Sequence, residues 1–387
     1  MKSSTISIGS AIVNLGTTIC IVRWFGAEEY SQYIIDLALI SLIFLIAELV
    51  PNNYSIFKVQ DDPLWLQSTA NYAVAITFAG IALIFALSQL TTFFQAYSNW
   101  MLGYGITLSI KRYMDTRLQS SGRLSEFMRV EFFGASCRMV ILIFLYLNGN
   151  RGVSCIWASL AAGSLVAQIQ WCSKNPSEIK IMRYVACSGP WAALFSHRKE
   201  YIPYYAGSIL KKIKDNFVPL AAAQLLVSRE LLASFFLAYR GLVFSVGQIR
   251  ILEALVNHRA ALSKANRLGW RTKSLVAFAA QLLCLAASIL IILLSGELKI
   301  DWPNVMVLSA IIWPLTFMIL ERAKAYSIFK ASAVNKSILA YIIFSILGAI
   351  ALSSKENISI LEFSILLLFA EFVSLAAIWF INKKNDV

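Results

Sequence analysis

Long apolar blocks, rather than short periodic runs, organise this chain. They fall near residues 4–23, 33–50, 71–94, 97–117, 127–148, 153–172, 202–225, 231–255, 273–295, 304–325, 336–352 and 358–381. A helix needs about 20 apolar residues to cross the hydrocarbon of a bilayer, and each block comes close to that length. Helices satisfy their own backbone donors and acceptors, which lipid cannot do. The pattern therefore predicts an all-α polytopic membrane protein with about 12 transmembrane helices. Pro51, Pro203 and Pro303 are expected at the edges of spans, where a residue without an N–H starts or stops a helix.

The polar connections carry an asymmetric charge. "KRYMDTRLQSSGRLSEFMR" (111–129), the segment 173–201 with Lys174, Lys180, Arg183, Arg198 and Lys199, and "NHRAALSKANRLGWRTK" (257–273) are all basic. The alternate connections hold single cations: Arg23, Arg151, Arg229, Lys299 and Lys355. Lysine and arginine accumulate on the cytoplasmic side, so both termini are expected inside and the number of spans is even. That parity bears on "SILKKIKDNFVPL" (208–220). Two spans must fit between the basic segments 173–201 and 257–273, and they fit only as 202–225 and 231–255. Lys211, Lys212, Lys214 and Asp215 then lie near mid-membrane.

A charge facing lipid at that depth costs on the order of 3 kcal/mol on insertion scales, more for an isolated one. At 100° per residue, Ser208, Lys211, Lys212, Lys214, Asp215 and Asn216 share one broad helix face, while Ile209, Ile213, Phe217 and Leu220 form the opposite stripe. One reading is a polar face lining a water-filled cavity. The other is an internal ion-pair network between helices, with Asp215 one turn from Lys211. The surplus of lysines over aspartate favours the cationic cavity. Pro219 cannot donate to the Asp215 carbonyl, so a kink and a hinge are expected beside the cluster.

Other spans carry polar groups of the same kind. Arg138 and Arg240 lie within spans and are expected to join the cationic cavity. Ser10, Asn14 and Thr17 share one face of the first span with Ser3 and Ser7, which suits either cavity lining or helix packing. Asp36, Glu48 and Glu371 are membrane carboxylates with the chemistry to carry a coupling proton or sodium ion.

Residues 14–36, "NLGTTICIVRWFGAEEYSQYIID", can be laid over 216–238, "NFVPLAAAQLLVSRELLASFFLA", so that Asn14 meets Asn216, Glu28 meets Glu230 and Tyr33 meets Phe235. The offset pairs span one with span seven and two with eight, a parallel two-lobe layout known among transporters. It divides the chain into an N-terminal six-helix lobe (1–172), a cytoplasmic linker (173–201) and a C-terminal six-helix lobe (202–387). The linker's "MRYVACSGPWAALF" mixes basic and aromatic residues as a helix lying on the membrane surface would.

"IVRWFGAEEYSQYIIDLALI" (21–40) resembles the first outward turn of the polysaccharide and O-antigen flippases, through Arg23, Gly26, Glu28, Glu29 and Tyr33. These belong to the superfamily of multidrug, oligosaccharidyl-lipid and polysaccharide exporters. "LKKIKDNFVPLAAAQLL" and "FFLAYRGLVF" resemble the opening of that family's second half, where Lys214 and Asp215 match. The resemblance implies two lobes around a cavity with a cationic centre. It further implies a flippase that moves an undecaprenyl-pyrophosphate-linked oligosaccharide across the bacterial inner membrane by alternating access. A polysaccharide polymerase and a chain-length regulator would be its partners.

Composition narrows the alternatives. With 58% hydrophobic and 14% charged residues and a mean hydropathy of +0.68, no soluble domain fits between the spans. The net charge of +13 reads as topology-setting loops rather than a nucleic-acid surface. The 6 cysteines form no CxxC pair and the 2 histidines are far apart, so no metal and no cofactor are expected. A membrane polymerase or glycosyltransferase would need a longer outward loop than these connections supply. An exporter of drugs or metabolites shares the fold, but organic cations call for acidic rather than basic cavities. The topology predicts that single cysteines placed at Ser121, Ser263 and Asn385 are shielded from an impermeant thiol reagent in intact cells, whereas those at Ser228 and Ser354 react. Labelling of position 263 from outside would break the span count between 202 and 255.

Overall fold

A glycine sets the first turn. α1 (Lys2–Phe25) ends at Gly26, whose φ of 97° is open to glycine and strained for other residues, and α2 (Ala27–Ile43) starts at once. Glu28 and Glu29 in the first turn of α2 suit the positive end of its dipole. The second half repeats the arrangement: α5 (Arg198–Leu225) ends at Leu225 and α6 (Arg229–Leu262) begins with Glu230 in its first turn. Both breaks fall in register with the internal repeat, since Gly26 and Ser228 differ by the same offset as Asn14 and Asn216.

The computed structural model describes residues 2–43, isolated positions between 82 and 118, and 123–177, 198–226, 228–262, 269–295, 301–327, 331–355 and 357–384. The remaining elements are α3 (Leu124–Leu147), α4 (Val153–Lys174), α7 (Trp270–Ser295), α8 (Trp302–Ala310), α9 (Ile312–Ser327), α10 (Ala331–Ser353) and α11 (Ile360–Lys384). Among the described residues there is no strand, and 7 segments are long and apolar enough to cross a membrane. The expected spans 71–94 and 97–117, the surface helix of the linker and Glu48 fall wholly or largely outside the described residues.

The surface is inverted relative to a soluble protein. Leu275, Phe278, Leu282 and Leu293 on α7, Ile343, Leu347 and Ile350 on α10, and Phe369, Phe372 and Phe380 on α11 are exposed. Ser288, Ser309, Ser337, Ser345, Ser364 and Ser374 are buried. Apolar faces of that extent are stable against lipid, and they identify a multi-pass membrane protein.

Two expectations change. The tenth span is not regular throughout: its hydrogen-bond ladder breaks at Ile311, between α8 and α9, while Ile311 keeps helical dihedrals (φ −57°, ψ −28°) and residues 302–322 run on as one apolar span. Pro314 has no N–H for the carbonyl of Ala310 and its ring crowds that carbonyl, which accounts for the break. Pro219 creates the same vacancy at Asp215, yet α5 runs on to Leu225. Pro203, expected at a helix edge, lies inside α5, which starts at Arg198.

Contacts divide the chain into two compact units, Met1–Thr17 with Leu39–Ile209, and Thr18–Ala38 with Leu210–Val387. Residues 18–38, from the first half of the sequence, thus pack with the second. In unit 1, α3 and α4 form a hairpin through Gly149 and Gly152, both at positive φ. Its open end is clasped by polar groups. Arg123 Nη2 donates to Asn175 Oδ1 at 2.7 Å, and Asn175 Nδ2 donates to Glu126 Oε1 at 3.0 Å and the Trp171 carbonyl at 2.9 Å.

In unit 2, α6 and α7 approach closely at Gly241. A Cβ there would stand 2.0 Å from Ser288 Oγ, 2.8 Å from the Ser288 nitrogen and 2.9 Å from the Cys284 carbonyl. Small residues permit such approaches, which is how dispersion holds helices together where lipid removes the hydrophobic drive. Gly241→Val is predicted to destabilise the protein by about 1–3 kcal/mol, the usual cost of overpacking. Gly247→Ala on the same helix meets nothing within 4 Å and should leave the melting temperature unchanged.

Candidate functional site

Charged side chains gather in two places, one buried in unit 2 and one lining a cavity in unit 1. In unit 2 the lysine-rich face of α5 delivers Lys214 to the interior. Its Nζ lies 2.5 Å from Glu371 Oε1 and donates to Oε2 at 2.7 Å. Lys214 is 6% exposed and Glu371 4% exposed, so water screens the pair little. The ammonium also lies 4.1 Å from the centre of the Tyr341 ring, a cation–π contact strengthened by burial.

A second cation completes this cluster. Arg322, near the end of α9, donates from Nη2 to Ser374 Oγ at 3.3 Å, and Ser374 donates to the Ser337 carbonyl at 2.9 Å. Arg322 acts on Lys214 as a like charge, and Asp215 adds a further negative one. Four helices therefore meet at the pair: α5 through Lys214, α9 through Met318 and Arg322, α10 through Tyr341, and α11 through Glu371 and Ser374. Lys211, Lys212 and Asp215 are half-buried on the same helix as Lys214.

Arg240, on α6, donates from Nε to Thr18 Oγ1 at 3.2 Å, within unit 2. Asp36 is fully buried and accepts from Gln32 Nε2 at 2.7 Å. At the start of α6, Arg229 pairs with Glu28 at 3.2 Å, but both are well exposed and the pair contributes at most about 1 kcal/mol.

In unit 1, a cavity of about 170 Å³ is lined by Asn14, Lys111, Glu131, Arg138, Ser164 and Gln168, among others. Lys111 is bracketed by two carboxylates, donating to Asp115 Oδ2 at 2.8 Å and also to Glu131. The backbone of α3 at Arg138 approaches α4 closely: a Cβ on Gly163 would stand 2.8 Å from the Arg138 nitrogen. Asn14 and Arg138, named separately from the sequence, thus line one cavity. Thr17 is buried and spends its hydroxyl on the Val13 carbonyl at 2.8 Å, inside its own helix. Ser10 is half-buried on α1, and Pro219 is buried on α5.

Lys111 stands first in the stretch 111–129, expected as an inward connection. The structure makes residues 111, 114, 115, 117 and 118 helical and sets Lys111 into the cavity, since two carboxylates compensate its charge. The spacing of Lys111 and Asp115, one helical turn, was the signal available for it. Arg322 and Tyr341 had no local signal, because their partners are remote in sequence.

No protein-family profile and no curated protein sequence matches the chain. Its fold is that of solved MATE transporters. The MATE multidrug transporter DinF-BH is 14% identical, with 99% of this chain and 95% of that one covered and a TM-score of 0.61. A MOP superfamily transporter from Pyrococcus furiosus, described as having a binding pocket of reverse polarity that suggests a different function, is 13% identical over the same shares, with a TM-score of 0.64. The eukaryotic MATE transporter AtDTX14 is 11% identical, covers 98% and 93%, and has a TM-score of 0.57.

Breaking the buried pair from either side should cost about 3–5 kcal/mol, because it strands a charge. Lys214→Met and Glu371→Met are each predicted to lower the melting temperature and the folded yield in detergent. The double variant should recover most of the loss, as measured by fluorescence-detected chromatography after heating.

Proposed function

We propose that this protein is a flippase. It moves an undecaprenyl-pyrophosphate-linked oligosaccharide repeat unit across the bacterial inner membrane by alternating access, for the export of O-antigen or another surface polysaccharide. The observation that carries the reading is the row Lys211, Lys212 and Lys214 on α5, a helix that sequence topology places in the bilayer. A diphosphate is multiply anionic, and lysine is a compact point-charge partner for it. The polyprenyl tail stays in lipid while the charged head and its sugars cross. Both termini are cytoplasmic in this reading, and a polymerase and a chain-length regulator act on the product. Transport rather than enzymatic chemistry agrees with the fold, whose solved examples are transporters.

The second reading, an exporter of drugs or metabolites, is favoured by neighbours described as multidrug transporters. The polarity of α5 argues against organic cations as its cargo. The Pyrococcus furiosus transporter is a precedent, by its own description, for this fold with a pocket of reversed polarity.

Cells lacking the protein should accumulate complete lipid-linked repeat units on the cytoplasmic face and lose surface polysaccharide. The double variant Lys211→Gln, Lys212→Gln should reach the membrane in normal amounts and export at least tenfold less polysaccharide. Arginine at both positions should retain part of the activity, since charge survives while geometry changes. Normal export from the well-expressed glutamine variant would sink the proposal. Repeat units found outside, intact but unpolymerised, would assign the defect to polymerisation instead.

A further inference from the structure

Lys214 is the lysine of the α5 row that the structure buries against a carboxylate, and this contact has a meaning beyond packing. We infer that Glu371 is an internal stand-in for the anionic headgroup: it neutralises Lys214 when no substrate is bound and is exchanged for a diphosphate when one is. The inference rests on the flippase reading and adds to it the means by which an empty carrier holds its cationic residue.

The geometry carries this. Glu371 offers both carboxylate oxygens to one ammonium, at 2.5 and 2.7 Å, as two oxygens of a phosphate would. The remaining surroundings hold the ammonium without saturating it with anions. The Tyr341 ring lies 4.1 Å away, Met318 Sδ is 3.9 Å away, and Arg322 contributes a like charge. Asp215, on the helix of Lys214 itself, is the other titratable neighbour of the ammonium, and Tyr239 is a neighbour of Tyr341. Lys214 thus has one ion-paired carboxylate and a second cation, Arg322, beside it, a setting that admits a stronger anion once the carboxylate is displaced.

The chemistry of a carrier cycle also requires such a device. A lysine row that binds a multiply charged headgroup in the membrane is left with uncompensated charge when the headgroup departs. Carrier return then needs an internal anion. A carboxylate on another helix, α11, supplies it and couples the occupancy of Lys214 to the distance between α5 and α11. Glu371 acts here as a competitor of the substrate rather than as an ion-coupling group.

The test uses the full-length protein in nanodiscs, with farnesyl diphosphate as the probe and farnesol as the uncharged control. Wild-type protein should bind the diphosphate, and Lys214→Gln should lose at least tenfold in affinity. Glu371→Gln, freed of the competing carboxylate, should bind it at least tenfold more tightly than wild type. The ligand should also raise the melting temperature of Glu371→Gln more than that of wild type, because it replaces the missing anion. Farnesol binding should not change. If Glu371→Gln yields too little protein, Glu371→Asp, whose shorter carboxylate weakens the pair, should shift affinity in the same direction by a smaller factor. Equal or weaker diphosphate binding by both Glu371 variants, with wild-type binding still dependent on Lys214, overturns the inference and leaves the flippase reading standing. Diphosphate binding that ignores Lys214 overturns it as well. Absence of diphosphate binding in every variant removes both.

Discussion

A lysine and a glutamate cannot share a dry interior unless each finds the other, and in unit 2 this requirement governs the arrangement of four helices. Lys214 and Glu371 are 157 positions apart in sequence, yet their ion pair fixes where α5 stands against α11. Tyr341 and Met318 close the cage from α10 and α9. Each ion alone would cost several kcal/mol to desolvate, so the helices are stable together in a way they are not apart. The serines around them, Ser337 and Ser374, are consumed by the same cluster, with Ser374 bridging Arg322 to the Ser337 carbonyl.

Unit 1 solves the same problem differently. Lys111 meets two carboxylates, one on its own helical segment and one on α3, and so carries more negative than positive charge about it. Lys214 meets one, with a second cation alongside. The two lysines thus differ both in depth, Lys111 being 31% exposed at its side chain and Lys214 7%, and in the number of carboxylates they are paired with.

The helices were legible in the sequence because length is decisive in a bilayer. The blocks 127–148, 153–172, 202–225, 231–255 and 273–295 return as α3, α4, α5, α6 and α7 with boundaries moved by a few residues. The repeat was legible because it aligned two turns, and both turns break at the expected offset. The break at Ile311 was visible in principle through Pro314, but Pro219 carries the same chemistry without breaking its helix, so proline alone does not decide. The site was legible in its types and not in its pairings. Lys214 and Glu371 were both named, but spacing offered only the pair of Asp215 with Lys211, because periodicity reports neighbours on one helix and is silent about other helices. Lys111 was masked by the basic stretch it opens, and Arg322 by the apolar block it ends.

The interruption of the tenth span has a mechanical meaning. An unbroken rod across the membrane transmits a tilt applied at one end to the other. Here α8 is held by Asn304, which accepts from Ser364 on α11, while α9 carries Met318 and Arg322 of the charged cluster. At the joint, Trp313 Nε1 donates to Gln281 Oε1 at 2.6 Å, a contact that pins the top of α9 to α7. The interruption at Ile311 therefore does not free the two halves: Ile311 keeps helical dihedrals, and both pieces are tied to α11, α8 through Asn304 and α9 through Arg322 and Ser374, so the span carries a tilt as one piece with α11.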